Sequence, residues 1–355
     1  MRKNRIANLI SIIVLSILLI ASLGLCIYLL LHSVSLRRDA DAAKAALSEI
    51  EAAGYVYEAD AQVMVSEAAQ AASTEAEART REQILSGIQA RLESGEGTTS
   101  VIRRLYPDKL VVADSGRFFF LPIAGELPGN PFLESDWATD QDGRMQYVGS
   151  DTAVHVRQGI DVSRFQGNID WSKVAADGIE FAIIRVGYRG TSEGKLVEDE
   201  RFKDNIEDAL AAGLDVGVYV YSQAISETEA REEAQFVLDL IEPYDVTGPV
   251  VIDIEAADSA GARTADMSRD SYTRVAATFC ALVEGAGYRP MIYGNLKTYA
   301  LLLSPEELAD YPIWYAYYSE PLYFPYAFDI WQYSSTGRVR GVDGDVDMNV
   351  EVTFE

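Results

Sequence analysis

The sequence predicts an α/β protein whose main body is a modified, TIM-like β/α barrel. A transmembrane helix, a helical stalk and a small β-rich region precede it. Three observations carry that prediction. From Gln158 onward, short apolar runs alternate with helical patterns. One of those runs is broken at its end by two carboxylates, Asp253 and Glu255. Near the N-terminus, Ile6 to Leu31 holds 26 consecutive uncharged, mostly apolar positions.

That N-terminal stretch would span roughly 39 Å as a helix, more than the ~30 Å hydrocarbon core of a bilayer. Arg2, Lys3 and Arg5 precede it, which favours a cytoplasmic N-terminus and an extracellular remainder. A cleaved leader would have a shorter apolar stretch and a small-residue cleavage site. Residues 1–38 therefore read as a cytoplasmic N-terminus and single-pass anchor in the cell membrane.

Residues 39–97 form the stalk. They are rich in Ala, Glu and Gln, and contain no proline. A weak heptad runs through Leu47, Ile50, Tyr57, Ala61, Met64, Ala68, Ala71, Leu85 and Leu92. Gly54, Glu75 and Glu82 fall on the same seam and weaken it. A solvated helix and a coiled coil giving a weak homodimer both fit. Ser94-Gly95-Glu96-Gly97 ends the pattern.

Residues 98–157 read as a β-rich spacer packed on the next domain. Strand-like runs occupy 109–113 and 117–121, with Asp114-Ser115-Gly116 as the turn.

Residues 158–355 form the barrel. Its strand candidates are 159–162, 181–186, 216–221, 250–254, 291–293, 313–317, 329–333 and 346–350. Helical patterns over 201–212, 227–241 and 269–284 end at Gly213, before Pro243 and at Gly285. The last crossovers are too short for a regular (β/α)₈ unit.

Composition excludes several chemistries. The chain carries 55 acidic and 30 basic residues, a net charge of −25, which argues against nucleic-acid binding. The two histidines, His32 and His155, cannot build a Ser-His-Asp triad or a multi-histidine metal site. The two cysteines, Cys26 and Cys280, cannot staple the fold. No metal or cofactor is expected.

What remains is carboxylate chemistry. A buried parallel strand should be apolar throughout. Asp253 and Glu255 share one face of such a strand, with Cα atoms ~6.6 Å apart, at the barrel end where active sites form. Paired carboxyls suit glycoside hydrolysis: one donates a proton to the leaving oxygen, the other supports positive charge at the sugar carbon. Asp161 closes the Gly-Ile-Asp-Val strand, and Asp347 sits in Val346-Asp-Met-Asn349. Tyr219, Tyr221, Tyr293, Trp314 and Trp331 lie at strand ends, where they could serve either as barrel core or as platforms for sugar rings.

These residues resemble a known family. Asp161-Val-Ser163-Arg-Phe-Gln166-Gly167-Asn-Ile-Asp170-Trp171 is similar to the opening motif of family 25 glycoside hydrolases, the muramidase lysozymes. Stretches 181–190, 217–224 and 251–255 resemble their second, third and catalytic strands. Trp331-Gln332-Tyr333 and Gly344-Asp-Val-Asp347-Met-Asn349 resemble their closing motifs. The resemblance covers 158–355. It implies hydrolysis of the β-1,4 bond from N-acetylmuramic acid to N-acetylglucosamine in peptidoglycan strands. Glu255 would be the general acid, Asp253 the second carboxylate, and Asp161 and Asp347 supporting acids. Arg185 and Gln332, inside these motifs, join the aromatics as expected substrate contacts. A glycan-binding protein that does not cleave, and a glycosidase acting on another amino-sugar polymer, are the alternatives.

Overall fold

The computed structural model describes residues 23, 27, 28, 32, 35–49, 58–256, 261–319 and 321–354. The chain forms two compact units, Met1–Leu105 and Tyr106–Glu355. Apart from residues 23, 27 and 28, the expected membrane span lies outside the described residues. Among the described residues, no helix is long and apolar enough to cross a membrane.

In the first unit, residues 35–49 are helical (α1). Helices α2 (Glu58–Glu93) and α3 (Thr98–Leu105) follow. The heptad is not supported over α2, and the solvated-helix alternative fits it. Apolar side chains are spread around α2 instead of forming one stripe, and Met64, Leu85 and Leu92 are exposed. A coiled-coil dimer needs a continuous apolar seam, and α2 supplies none. The helix ends as its sequence predicts. Gly95 takes φ 90°, Glu96 N–H reaches Arg91 O at 3.0 Å, and Gly95 N–H reaches Leu92 O at 3.1 Å. This is a Schellman cap.

The expected start of the β-rich region at Thr98 is corrected, because residues 98–105 are helical. Glu96 accepts from both Arg91 (3.1 Å) and Arg104 (2.9 Å), joining α3 to the end of α2.

The second unit opens with hairpin β1 (Lys109–Asp114) and β2 (Arg117–Pro122). Its two-residue turn has positive φ at Ser115 (48°) and Gly116 (74°), which matches the right-handed strand twist. A smaller hairpin, β3 (Trp137–Thr139) and β4 (Met145–Tyr147), follows. Both pack on the barrel. Val111 N–H donates to Tyr323 Oη at 2.8 Å, and Gln158 Nε2 donates to Met145 O at 2.7 Å.

Among the described residues, eight strands close a barrel. In sequence they are β5 (Val154–Val162), β6 (Phe181–Arg189), β8 (Asp215–Tyr221), β9 (Val250–Asp253), β10 (Pro290–Asn295), β11 (Ile313–Ala316), β12 (Ile330–Gly337) and β13 (Val346–Phe354). A short β7 (Leu196–Glu198) adds antiparallel to the end of β6. Seven barrel strands run parallel; β13 runs antiparallel between β12 and β5. This is the irregularity that the short late crossovers imposed. Helices α4 (Trp171–Ala176), α5 (Phe202–Ala211), α6 (Glu227–Ile241) and α7 (Arg269–Gly285) cover the outside.

Alternation sorts the strand residues into two cores. Phe181, Ile183, Val251, Met291, Trp314 and Ile330 fill the interior. Ile184, Val218, Val220 and Ile252 face the helices. Gly159 is required here, because a Cβ would collide with the Phe181 ring. At the N-terminal end of the strands, Arg157 pairs with Asp215 and Glu351, and Arg289 pairs with Glu351. The chemistry lies at the other end.

Candidate active site

A cavity of about 270 Å³ opens at the C-terminal mouth of the barrel, lined among others by Asp161, Asp253, Glu255 and Asp347. Strands place three of the carboxylates, and Glu255 lies just past the end of β9. Asp161 is one residue from the end of β5, and β13 places Asp347 directly opposite it. Asp253 ends β9, and Glu255 follows two residues later. The short link between them is fixed from both sides. Ile254 N–H donates to Tyr293 O at 3.1 Å, and Thr298 Oγ1 donates to Ile254 O at 2.9 Å. Ser222 N–H donates to Asp253 O at 3.0 Å.

Burial governs the electrostatics. Desolvation pushes the Asp161 and Asp253 carboxyls well above the usual carboxylate range. Repulsion from Asp347 adds to this at Asp161, and repulsion from Glu255 and Asp161 adds to it at Asp253. Burial raises Asp347 to about 6. Desolvation and like-charged neighbours thus disfavour the ionised form of Asp161 and Asp253.

Partners divide the four acids. Asp161 Oδ2 accepts from Gln332 Nε2 at 2.6 Å and from Asn349 Nδ2 at 2.8 Å. Trp314 Nε1 in turn donates to Asn349 Oδ1 at 2.8 Å. Asp253 Oδ1 is buried and has no hydrogen-bond partner among the described residues. A buried carboxylate oxygen left unpaired is costly, and here it faces a cavity that a ligand could fill.

The expected substrate contacts separate into two groups. Arg185, Tyr219, Tyr293, Trp314 and Gln332 line the cavity. Tyr293 and Trp314 stack edge-on at 4.5 Å. Trp331 does not line it. This residue points out of the barrel, 2% exposed, against Trp137 at 5.3 Å, with Nε1 donating to Tyr317 O. Its neighbour Gln332 takes the inward position, because strand side chains alternate. Tyr221 also lies off the cavity wall, where its hydroxyl accepts from Gln223 Nε2 at 3.3 Å.

The structure adds Ser163, Phe165, Gln166 and Tyr318 to the wall. Ser163 and Gln166 form a capping box that fixes the turn after β5. That turn was visible as a motif, but nothing in its spacing assigned the side chains a direction.

The comparisons place this geometry in a family. The family model for glycosyl hydrolases family 25 matches residues 160–342, just over half of the chain. The chain belongs to family 25 of the glycosyl hydrolases. Family 25 relatives and similar chains include lysozyme M1 of Streptomyces globisporus, 31% identical over 202 residues, covering 54% of this chain and 66% of that one. The uncharacterized protein YegX of Escherichia coli K12 is 31% identical over 206 residues, covering 56% and 70%. Among solved structures, the modular autolysin LytC of Streptococcus pneumoniae superposes with a TM-score of 0.52 at 27% identity, covering 68% of this chain and 57% of that one. The chain thus spans just under two thirds of the Streptomyces lysozyme and little more than half of the autolysin.

Proposed function

We propose that this family 25 protein is a lysozyme of the muramidase type. It hydrolyses the β-1,4 bond from N-acetylmuramic acid to N-acetylglucosamine in peptidoglycan, on the outer side of the cytoplasmic membrane. The observation that carries the reading is the pairing of Asp253 and Glu255 at the cavity, with Asp161 and Asp347 beside them. Relatives support it: one is named a lysozyme, and LytC has been solved with a synthetic peptidoglycan ligand.

In this reading Glu255 donates its proton to the glycosidic oxygen as the bond breaks. The 2-acetamido oxygen of the N-acetylmuramic acid attacks that sugar's anomeric carbon from the face opposite the glycosidic oxygen, as the bond from that carbon to the oxygen breaks. Asp253 holds the acetamido N–H on its unpaired Oδ1 and stabilises the charge that develops there. Water then opens the cyclic intermediate, with Glu255 taking a proton back. Asp161, fixed by Gln332 and Asn349, contributes negative potential to the developing cation. Tyr293 and Trp314 supply faces for sugar C–H groups.

The reading also includes the anchor. Ile6–Leu31 with its basic flank would hold the barrel near its substrate, outside the membrane.

The decisive experiment is product analysis. Purified peptidoglycan incubated with the protein should yield new reducing ends that are N-acetylmuramic acid. New ends at N-acetylglucosamine, or binding without cleavage, would overturn the assignment.

A further inference from the structure

The turn after β5 carries a feature that the four-carboxylate chemistry does not use. Phe165 is 73% exposed, although it lines the cavity. A large apolar ring is not left in water without cost. It is nevertheless held firmly. Its backbone N–H donates to Ser163 Oγ at 3.3 Å, Ser163 N–H donates to Gln166 Oε1 at 2.9 Å, and Arg164 N–H donates to Asp199 Oδ2 at 3.1 Å. Two guanidiniums lie beside the ring: Arg164 and Arg185 are each 5.1 Å from its centroid. The same two cations lie 5.8 and 5.6 Å from the Tyr188 ring.

The two arginines differ in how their charge is spent. Arg185 is tied to Asp199, whose side chain is fully buried, at 2.6 Å. Arg164 is exposed and has Glu200 only at 3.8 Å, itself largely exposed. Its charge is therefore free to meet a ligand. Arg164 adjoins Phe165, which lines a cavity holding four carboxylates, and an exposed cation beside that wall has one evident complement, an anion on the substrate.

We infer that Phe165 and Arg164 form a subsite at the cavity rim for a sugar ring bearing a carboxylate-containing substituent. The Phe165 face stacks on the ring, and the Arg164 guanidinium pairs with the carboxylate. This rests on the muramidase reading and deepens it, because muramic acid is the sugar in that polymer with such a substituent. The carboxylate comes either from the lactyl ether itself or from the peptide attached to it. The two residues are specificity-determining and take no part in bond cleavage.

The test uses the full-length protein and three soluble tetrasaccharides of alternating N-acetylglucosamine and N-acetylmuramic acid. One carries free lactyl carboxylates, one carries them as neutral methyl esters, and one carries a dipeptide on each. Binding is measured to the Glu255→Gln protein, so that cleavage does not interfere. Phe165→Ala should weaken all three by roughly three- to tenfold, the usual weight of an aromatic face, and Phe165→Trp should restore binding. Arg164→Gln should weaken the carboxylate ligands by about two- to fivefold and leave the methyl ester unchanged. A loss with the lactyl ligand identifies the lactyl group as the anion; a loss confined to the dipeptide ligand identifies the peptide. An equal effect of Arg164→Gln on charged and neutral ligands would overturn the inference, as would unchanged binding by Phe165→Ala. Failure of the muramidase reading would show separately, as an absence of N-acetylmuramic acid ends from peptidoglycan treated with the unmutated protein.

Discussion

Gln332 Nε2 donates to Asp161 Oδ2 at 2.6 Å, and this orientation of the amide is dictated from its other end. Gln332 Oε1 accepts from Tyr293 Oη at 2.7 Å and from Tyr318 Oη at 2.6 Å. With two hydroxyls on the oxygen, the nitrogen must face Asp161. Gln332 thus locks together one carboxylate and two tyrosines of the cavity wall.

Replacing Gln332 by Leu should leave Asp161 with one amide donor fewer. It should also leave both hydroxyls without their acceptor. A hydrogen bond to a charged group is worth about 1.5–3 kcal/mol, so kcat/KM should fall roughly ten- to a hundredfold. Steady-state kinetics on soluble glycan strands checks this. Unchanged kinetics would mean that Asp161 does not depend on Gln332.

The raised Asp347 carboxyl makes a stability prediction. Its folded-state pKa of about 6 lies above the ordinary 3.8. The folded state therefore binds more protons than the unfolded state across that window, and stability falls as pH rises through it. Asp347→Asn removes that penalty. It should raise the melting temperature at pH 7, by about 1–2 kcal/mol of stability after allowance for partial exposure, and change it little at pH 4. Calorimetry at the two pH values decides. A variant destabilised at pH 7 would show that the carboxylate's contacts outweigh the cost of burying its charge.

Much of this fold was legible because strands buried on both faces announce themselves as apolar runs. Asp253 and Glu255 stood out because they broke such a run. The same double burial explains the error at Trp331. Both faces of β12 are covered, the inner by the barrel and the outer by Trp137, so hydrophobicity could not say which of Trp331 and Gln332 points inward. Antiparallel β13 was not directly readable either, since strand direction follows from crossover geometry. Phe165 and Tyr318 sit in turns beyond strand ends, where no periodicity assigns a direction.

Tyr106–Glu355 should fold and act without what precedes it. This unit holds the barrel and both hairpins that pack on it. Its circular dichroism and its activity on purified walls should match those of the full chain. If it fails while a longer fragment from Glu58 succeeds, the helical unit contributes to the stability of the barrel.

The proposed topology is tested on cells whose wall has been removed. Protease added outside should digest the barrel domain, because the basic Arg2, Lys3 and Arg5 flank favours a cytoplasmic N-terminus. Full protection of the barrel would reverse the orientation.

The last prediction separates the roles of Asp253 and Glu255. Glu255→Gln removes the proton donor and should lower kcat by about 10²–10⁴ on any glycosidase route. Near-normal activity of that variant would displace Glu255 as the acid. The routes diverge at Asp253. If Asp253 were the nucleophile, a covalent sugar–Asp253 ester would form and could be trapped with a slow fluorinated substrate. If the acetamido group attacks, Asp253 only orients and stabilises it, and no adduct forms. The unpaired, buried Oδ1 favours the second role, because it is a hydrogen-bond acceptor open to a donor such as an acetamido N–H. Asp253→Asn should then lower turnover while leaving the protein folded, since the amide fits the same space. Desolvation and the neighbouring Glu255 and Asp161 already disfavour a charge at Asp253, so the neutral side chain should also raise the melting temperature at pH 7. Intact-protein mass spectrometry with the fluorinated substrate distinguishes the two routes: an added sugar mass mapped to Asp253 would replace the assisted route with a covalent one.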